Sequence, residues 1–337
     1  MKKKILFLNS TKNELHYGCD IVSDYIAKIT AKKGYLLETF YLGFTLDDIK
    51  EKLEKKNYIH AIVNGEGTLH HSQKNALEIA KSLYFLNSND IPFTIINATI
   101  QDNNPFVNSA ISLAQKIYVR ESFSERYLRN HNIISEVVPD LSFSYEIGPT
   151  LHSKINKILF SDSVVKETSN LIYRNLHKKG EFISLQHVNF QNQSIPLYSQ
   201  YRKLLKLLSH INLKYLRKDI VGNESIGYCD SLEIFLKKII SSEIVVSGRF
   251  HIICMCINAK VPFLAYGSNT YKIQGLINDI GISKSRFMSV NTMLNLESFS
   301  EYSFSKQELE KIEFYIANSK VKINRMFDQI FDSLNAL

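Results

Sequence analysis

Apolar and polar positions alternate along this chain in a repeating order of short buried runs and longer amphipathic ones. Residues 4–9 form an apolar run that reads as a buried first strand. A polar loop from Ser10 to Cys19 follows, containing Gly18. Asp20 to Lys33 then places Ile21, Val22, Tyr25, Ile26 and Ile29 at helical spacing, with Gly34 as a C-cap. The order repeats: strand Leu36–Leu42, helix Leu46–Lys56, strand Ile59–Val63, helix Asn75–Leu86, strand Phe93–Asn97, helix Asn108–Ala114, strand Lys116–Val119, helix Ser122–Asn130 with Ser122 as a cap, and a short strand closing on Asp140. Such alternation predicts parallel βαβ units.

Gly148 to Asn156 is polar, contains Gly148-Pro149 and reads as a linker. A second alternation begins beyond it. Strand Lys157–Phe160 leads to a helix from Val164 capped by Ser161–Ser163. Strand Phe182–Leu185, a helix within Ile195–Leu208, a short strand Tyr215–Arg217 and helix Ser231–Ser241, capped by Asp230 or Ser231, come next. Strand Ile244–Val246, the apolar helix after His251, strand Pro262–Tyr266, helix Ile273–Ile280 and a long helix Ser305–Leu334 complete the chain. The predicted fold class is α/β: two doubly wound, Rossmann-like domains (1–148 and 157–304) facing a cleft, with residues 305–337 a helix packing back on the first. A length of 337 residues suits two domains.

Composition adds less. The net charge is +8, but lysines are scattered in pairs rather than blocked. Nucleic acid is therefore weakly indicated, and no nucleic-acid partner is expected. A basic face fits an anionic small substrate, the inner surface of a membrane met peripherally, or simply solvated helix faces. No run of about 18 apolar residues occurs, and the N-terminal apolar run is too short for a signal peptide. Four cysteines show no zinc-type spacing, which points to a reducing, cytoplasmic setting.

Chemistry concentrates at strand ends, where open α/β sheets bind ligands. Val245-Val-Ser247-Gly248-Arg249-Phe-His251 runs from a buried strand into a guanidinium and an imidazole two residues apart. Together they can hold an anion and move a proton; alone, they could equally cap helices and bridge strands. Asn64-Gly65-Glu66-Gly67-Thr68 is a tight turn that lets backbone approach a ligand, ahead of a helix. It is neither a P-loop nor a full dinucleotide fingerprint. His70 and His71 are ligand candidates or plain loop residues. Arg120 ends a strand, and its bland alternative is a surface salt bridge. No ligand-spaced cluster calls for a metal.

Val245–His251, Ala259-Lys-Val-Pro-Phe263, Tyr271-Lys-Ile-Gln-Gly-Leu276, Val119-Arg-Glu-Ser122, Pro139-Asp140 and the Asn64–Thr68 turn occur in an order that resembles the polysaccharide pyruvyl transferase family, whose fold is similar to that of GT-B glycosyltransferases. Phe250 stands where the family has Leu, Ile252 where it has Gly, and Ala259 where Gly is frequent. The resemblance implies transfer of a pyruvyl group from phosphoenolpyruvate to a pair of hydroxyls on a glycan or lipid-linked saccharide, forming a ketal in surface-polysaccharide synthesis without a cofactor or metal. It implies that Arg249 and Arg120 grip the donor, that Lys272 adds a point charge, and that His251 protonates the enol methylene carbon. Glu66 is then a base or a turn-fixing residue. Gly65, Gly67, Thr68, His70, Ser247, Gly248 and Asn269 line the substrate. Two other readings compete. In a nucleotide-sugar glycosyltransferase, Gly267-Ser268-Asn269 would seat a diphosphate; the other is a non-catalytic scaffold of a capsule-assembly complex.

Overall fold

The computed structural model describes residues 3–53, 58–147, 155–185, 229 and 231–335. The linker predicted from Gly148, the helix within 195–208, the strand 215–217 and Asp230 lie wholly or mostly outside them.

Contacts divide the chain into two compact units. One comprises the chain up to Lys12, Ile21–Ser144 and Asn318 onward; the other, Asn13–Asp20 and Tyr145–Ala317. The first unit holds strands β1 (Lys4–Ser10), β2 (Leu36–Tyr41), β3 (His60–Asn64), β4 (Phe93–Ala98), β5 (Lys116–Val119) and β6 (Glu136–Val137). They form one parallel sheet in the order β2-β1-β3-β4-β5-β6. β3 and β4 are buried along their whole length, and β1 along all but its first residue. Helices cover both faces of such a sheet, and its central strands therefore read as continuous apolar runs. Leu6, Leu8, Val63, Ile95 and Val119 pack with Ile79, Leu83, Val107 and Leu128 from the helices. Each such buried aliphatic side chain contributes about 1.5–3 kcal/mol.

The second unit holds β7 (Ile155–Ser163), β8 (Glu181–Ile183), β9 (Ser242–Gly248), β10 (Phe263–Tyr266) and β11 (Phe287–Met288), parallel and ordered β11-β10-β9-β7-β8. Counted from its own first described strand, this sheet repeats the leading pattern of the first: second, first, third, fourth, fifth. Strand order reverses between the first and third of these strands in each sheet. The carboxyl ends of that strand pair are where doubly wound sheets bind ligands.

Local differences from the predicted elements have local causes. The first helix spans Tyr17–Lys32 and starts three residues early, after a 3-10 turn at Thr11–Glu14, so most of the expected loop is helical. The helix Ser122–Asn130 is capped by Glu121, whose carboxylate accepts from the Phe123 and Ser124 N–H groups; Ser122 is its first residue, not its cap. Ser161–Ser163 extend β7 rather than capping a helix, and the next helix is Lys166–Leu176. Asn104 caps a helix that begins at Pro105, ahead of the predicted Asn108, because proline suits the first helical position. Ser231 caps Leu232–Ser241 as expected, and Gly281 closes Lys272–Ile280 in the left-handed region at φ 75°. The last helix is Lys306–Asn335. Within the first unit its distal part pairs Asp328 with Lys33 at 2.7 Å and stacks Phe331 on Tyr35. In the second unit, Glu308 from its first turn receives a forked pair of hydrogen bonds from Arg286 at 2.7 and 2.8 Å. Among the described residues no helix is long and apolar enough to cross a membrane.

Candidate functional site

In the first unit the reversal of strand order lies between β1 and β3, and there the glycine-rich turn is found. Asn9, at φ 63° and one residue before the end of β1, donates from Nδ2 to the Asn64 carbonyl at 2.6 Å and to Thr68 Oγ1 at 2.8 Å. Glu66 is 4 % exposed; its Oε2 accepts from Thr11 Oγ1 at 2.9 Å and Asn64 Nδ2 at 3.3 Å. Gly65 has no room for a side chain, since a Cβ would lie 2.3 Å from Ala98 Cβ. Gly67 sits at φ 63°. His70 is buried beneath the turn, with Nε2 3.1 Å from the Gly67 carbonyl and Nδ1 2.9 Å from His71 Nδ1. The turn is thus a hydrogen-bonded cradle in which Glu66, Thr68 and His70 all have protein partners.

Arg120 is placed differently from expectation. It leaves the end of β5, but its guanidinium donates from Nε to Thr99 Oγ1 at 2.7 Å and from Nη1 to Asp140 Oδ2 at 2.9 Å. The Arg120 side chain is 1 % exposed and that of Asp140 is sealed. The pairing weighed as a surface salt bridge therefore exists as a buried one. A buried charge pair persists only where its geometry and hydrogen bonds are good, and removing either partner strands the other.

In the second unit the reversal lies between β7 and β9. Ser163 pairs with Gly248 in register there, which brings Asp162 beside Arg249. Arg249 Nη2 donates to Asp162 Oδ2. Burial disfavours the charged guanidinium, but the Asp162 carboxylate outweighs it and holds the Arg249 pKa above its ordinary value. Ser247 Oγ accepts from the Arg249 N–H at 3.0 Å, fixing the turn. Gly248 is required because a Cβ would lie 2.5 Å from the Tyr266 ring, whose hydroxyl donates to the Ser161 carbonyl. Arg249 is also the N-cap residue of the helix Phe250–Asn258 and contributes no side-chain cap to it. Its Nε is buried with no hydrogen-bond partner among the described residues.

His251 occupies the first turn of that helix and is 5 % exposed. The segment before and into the Tyr17–Lys32 helix closes over it. A Cβ on Gly18 would lie 2.3 Å from His251 Cγ, and the His16 ring meets the His251 ring edge-on at 5.2 Å. Cys19 completes a group of three ligand-type side chains with His16 and His251. Lys272 opens the helix Lys272–Ile280, is 6 % exposed and donates to Asn269 Oδ1 at 3.0 Å.

Sequence reasoning missed Asp162, which it read as part of a helix cap, and passed over His16, Gly18 and Cys19 as loop. The polar end of an apolar strand at the fold's reversal point marked Asp162. A His and a Cys three residues apart marked the other pair, but their third partner lies far along the chain and no spacing rule reaches it.

No curated protein matches the chain. Solved structures do, at low identity and nearly full length. The S. aureus MnaA–UDP structure matches with TM-score 0.61 and 13 % identity, covering 99 % of this chain and 98 % of that one. A UDP-GlcNAc 2-epimerase of Neisseria meningitidis bound to UDP-GlcNAc gives 0.55 and 11 %, covering 98 % and 100 %. One from Rickettsia bellii gives 0.53 and 13 %, covering 99 % and 98 %. These likenesses speak for the fold, a GT-B-like arrangement of two Rossmann-like sheets. The model of the polysaccharide pyruvyl transferase family matches residues 12–270, and on that match, covering more than half its length, the chain belongs to that family and is a transferase.

Proposed function

We propose that the protein transfers a pyruvyl group from phosphoenolpyruvate to two hydroxyls of a surface-polysaccharide saccharide. The observation that carries this reading is Arg249: a guanidinium at a helix N-terminus, with a buried Nε–H lacking a partner among the described residues, two positions before an imidazole on the same helix. A helix N-terminus and a forked cation favour an oxyanion, and phosphoenolpyruvate supplies a carboxylate and a phosphate. His251 gives its proton to the methylene carbon, C2 becomes electrophilic, and the first acceptor hydroxyl bonds to C2 as its proton passes to a base. The second hydroxyl then displaces phosphate from C2, its proton leaving with the phosphate, and closes the ketal. Lys272 adds cationic charge for the donor. Arg120, neutralised by Asp140, is assigned to holding the β5 end rather than to donor contact. Asp162 keeps the Arg249 fork oriented.

A second reading follows from the neighbours solved with UDP or UDP-GlcNAc: a nucleotide-sugar donor, with its diphosphate at Gly267–Asn269. Calorimetric titration with phosphoenolpyruvate and, separately, with UDP-sugars discriminates between them. Binding of phosphoenolpyruvate, weakened by Arg249→Ala, is the expected result. Binding of a UDP-sugar with no heat from phosphoenolpyruvate overturns the pyruvyl assignment.

A further inference from the structure

We infer that His16, Cys19 and His251 form a site for a borderline-soft divalent cation of the Zn²⁺ class. One donor atom from each side chain lies within 4.8 Å of the other two. Two imidazoles and a thiol suit zinc and its neighbours and exclude Mg²⁺ and Ca²⁺, which need oxygen ligands. Three protein donors leave the fourth tetrahedral position open.

The local fold presets this group. His16 lies just before the Tyr17–Lys32 helix and Cys19 in its first turn, so the spacing of three puts both on one side. Gly18 lets the turn press on the His251 ring, because any side chain there would meet it. His16 Nδ1 accepts the Cys19 N–H at 3.3 Å, which ties the two residues together within one turn. The other three cysteines (Cys229, Cys254 and Cys256) are buried outside this group.

The consequence rests on the proposed function. A cation on His251 takes the lone pair that must carry the proton, so occupancy by Zn²⁺ switches transfer off and chelation restores it. The site is thus an inhibitory one.

The test uses the full chain and Co²⁺ or Zn²⁺ alone. The wild type is expected to give the strong visible bands of tetrahedral Co²⁺ with a thiolate charge-transfer band. Cys19→Ser should lose that band, and His16→Gln should weaken Zn²⁺ at least tenfold against a chromophoric chelator. A band that survives Cys19→Ser, or affinities unchanged in both variants, overturns the site. If either variant misfolds, alkylation mapped by mass spectrometry on the wild type decides: Zn²⁺ should protect Cys19, and equal alkylation with and without Zn²⁺ overturns the site. Zn²⁺ bound at Cys19 with transfer undiminished would uphold the site and sink the acid role of His251. Absent binding with normal transfer would do the reverse.

Discussion

Arg120 follows the last residue of β5 and Arg249 the last residue of β9, and each faces an aspartate from beyond or within a neighbouring strand. Arg120 meets Asp140 in the first unit with both side chains sealed from water, and Thr99 takes a second donor. Arg249 meets Asp162 in the second unit with 13 % of its side chain exposed and its Nε unpaired among the described residues. The residue types are the same but the burial differs, and under the proposed function Arg120 serves the fold and Arg249 the ligand. Arg120 commits Nε and Nη1 to Thr99 and Asp140, whereas Arg249 keeps a buried Nε–H without a partner among the described residues.

The largest effect should come from breaking the sealed pair. Arg120→Ala leaves Asp140 charged and buried, at a cost of about 3–5 kcal/mol in urea unfolding. If Arg120→Ala instead left the unfolding midpoint unchanged, Arg120 would be no more structural than Arg249. Acid sharpens the same contrast. His60 on β3 is buried against Thr94 at 3.1 Å, and burial lowers its pKa from 6.5 to about 4. Above pH 6.5 both folded and unfolded forms are neutral and nothing is lost. As pH falls from 6.5 toward 4, only the unfolded chain takes up the proton, so stability drops by about 3 kcal/mol in total. The first unit should therefore weaken in that window, and His60→Leu should flatten the pH profile of unfolding.

Breaking the open pair should affect function more than folding. Arg249→Lys keeps the charge but loses the fork, and transfer should fall about 100-fold while urea stability shifts by less than about 1 kcal/mol. A stability loss matching that of Arg120→Ala would dissolve the comparison. Asp162→Asn is the mildest change: one charge-assisted bond becomes a neutral one, worth about 1 kcal/mol of stability, against a several-fold larger loss for Asp140→Asn.

This contrast marks the limit of what the sequence shows. Runs such as Ile5–Leu8 and Ile244–Val246 announce strands because a two-sided parallel sheet buries every position, and Gly34 and Gly281 announce helix ends because only a left-handed residue closes them. The strand-end motifs around Gly65–Thr68 and Ser247–His251 are legible for the same reason. Partnership is not. Asp140 and Asp162 look alike in sequence, each an acid two residues after an apolar pair, and tertiary placement sets one beside Arg120 and the other beside Arg249. His16 and Cys19 reach His251 only because the segment Asn13–Asp20 belongs with the second unit, a tertiary fact without a local signature.

The central claim is that His251 supplies a proton beside an anion seat built on Arg249. It is tested most directly by measuring phosphoenolpyruvate affinity and acceptor-dependent phosphate release side by side in the wild type and His251→Ala. The account predicts affinity within about threefold and release slowed at least about 100-fold; release at the wild-type rate in His251→Ala would contradict it.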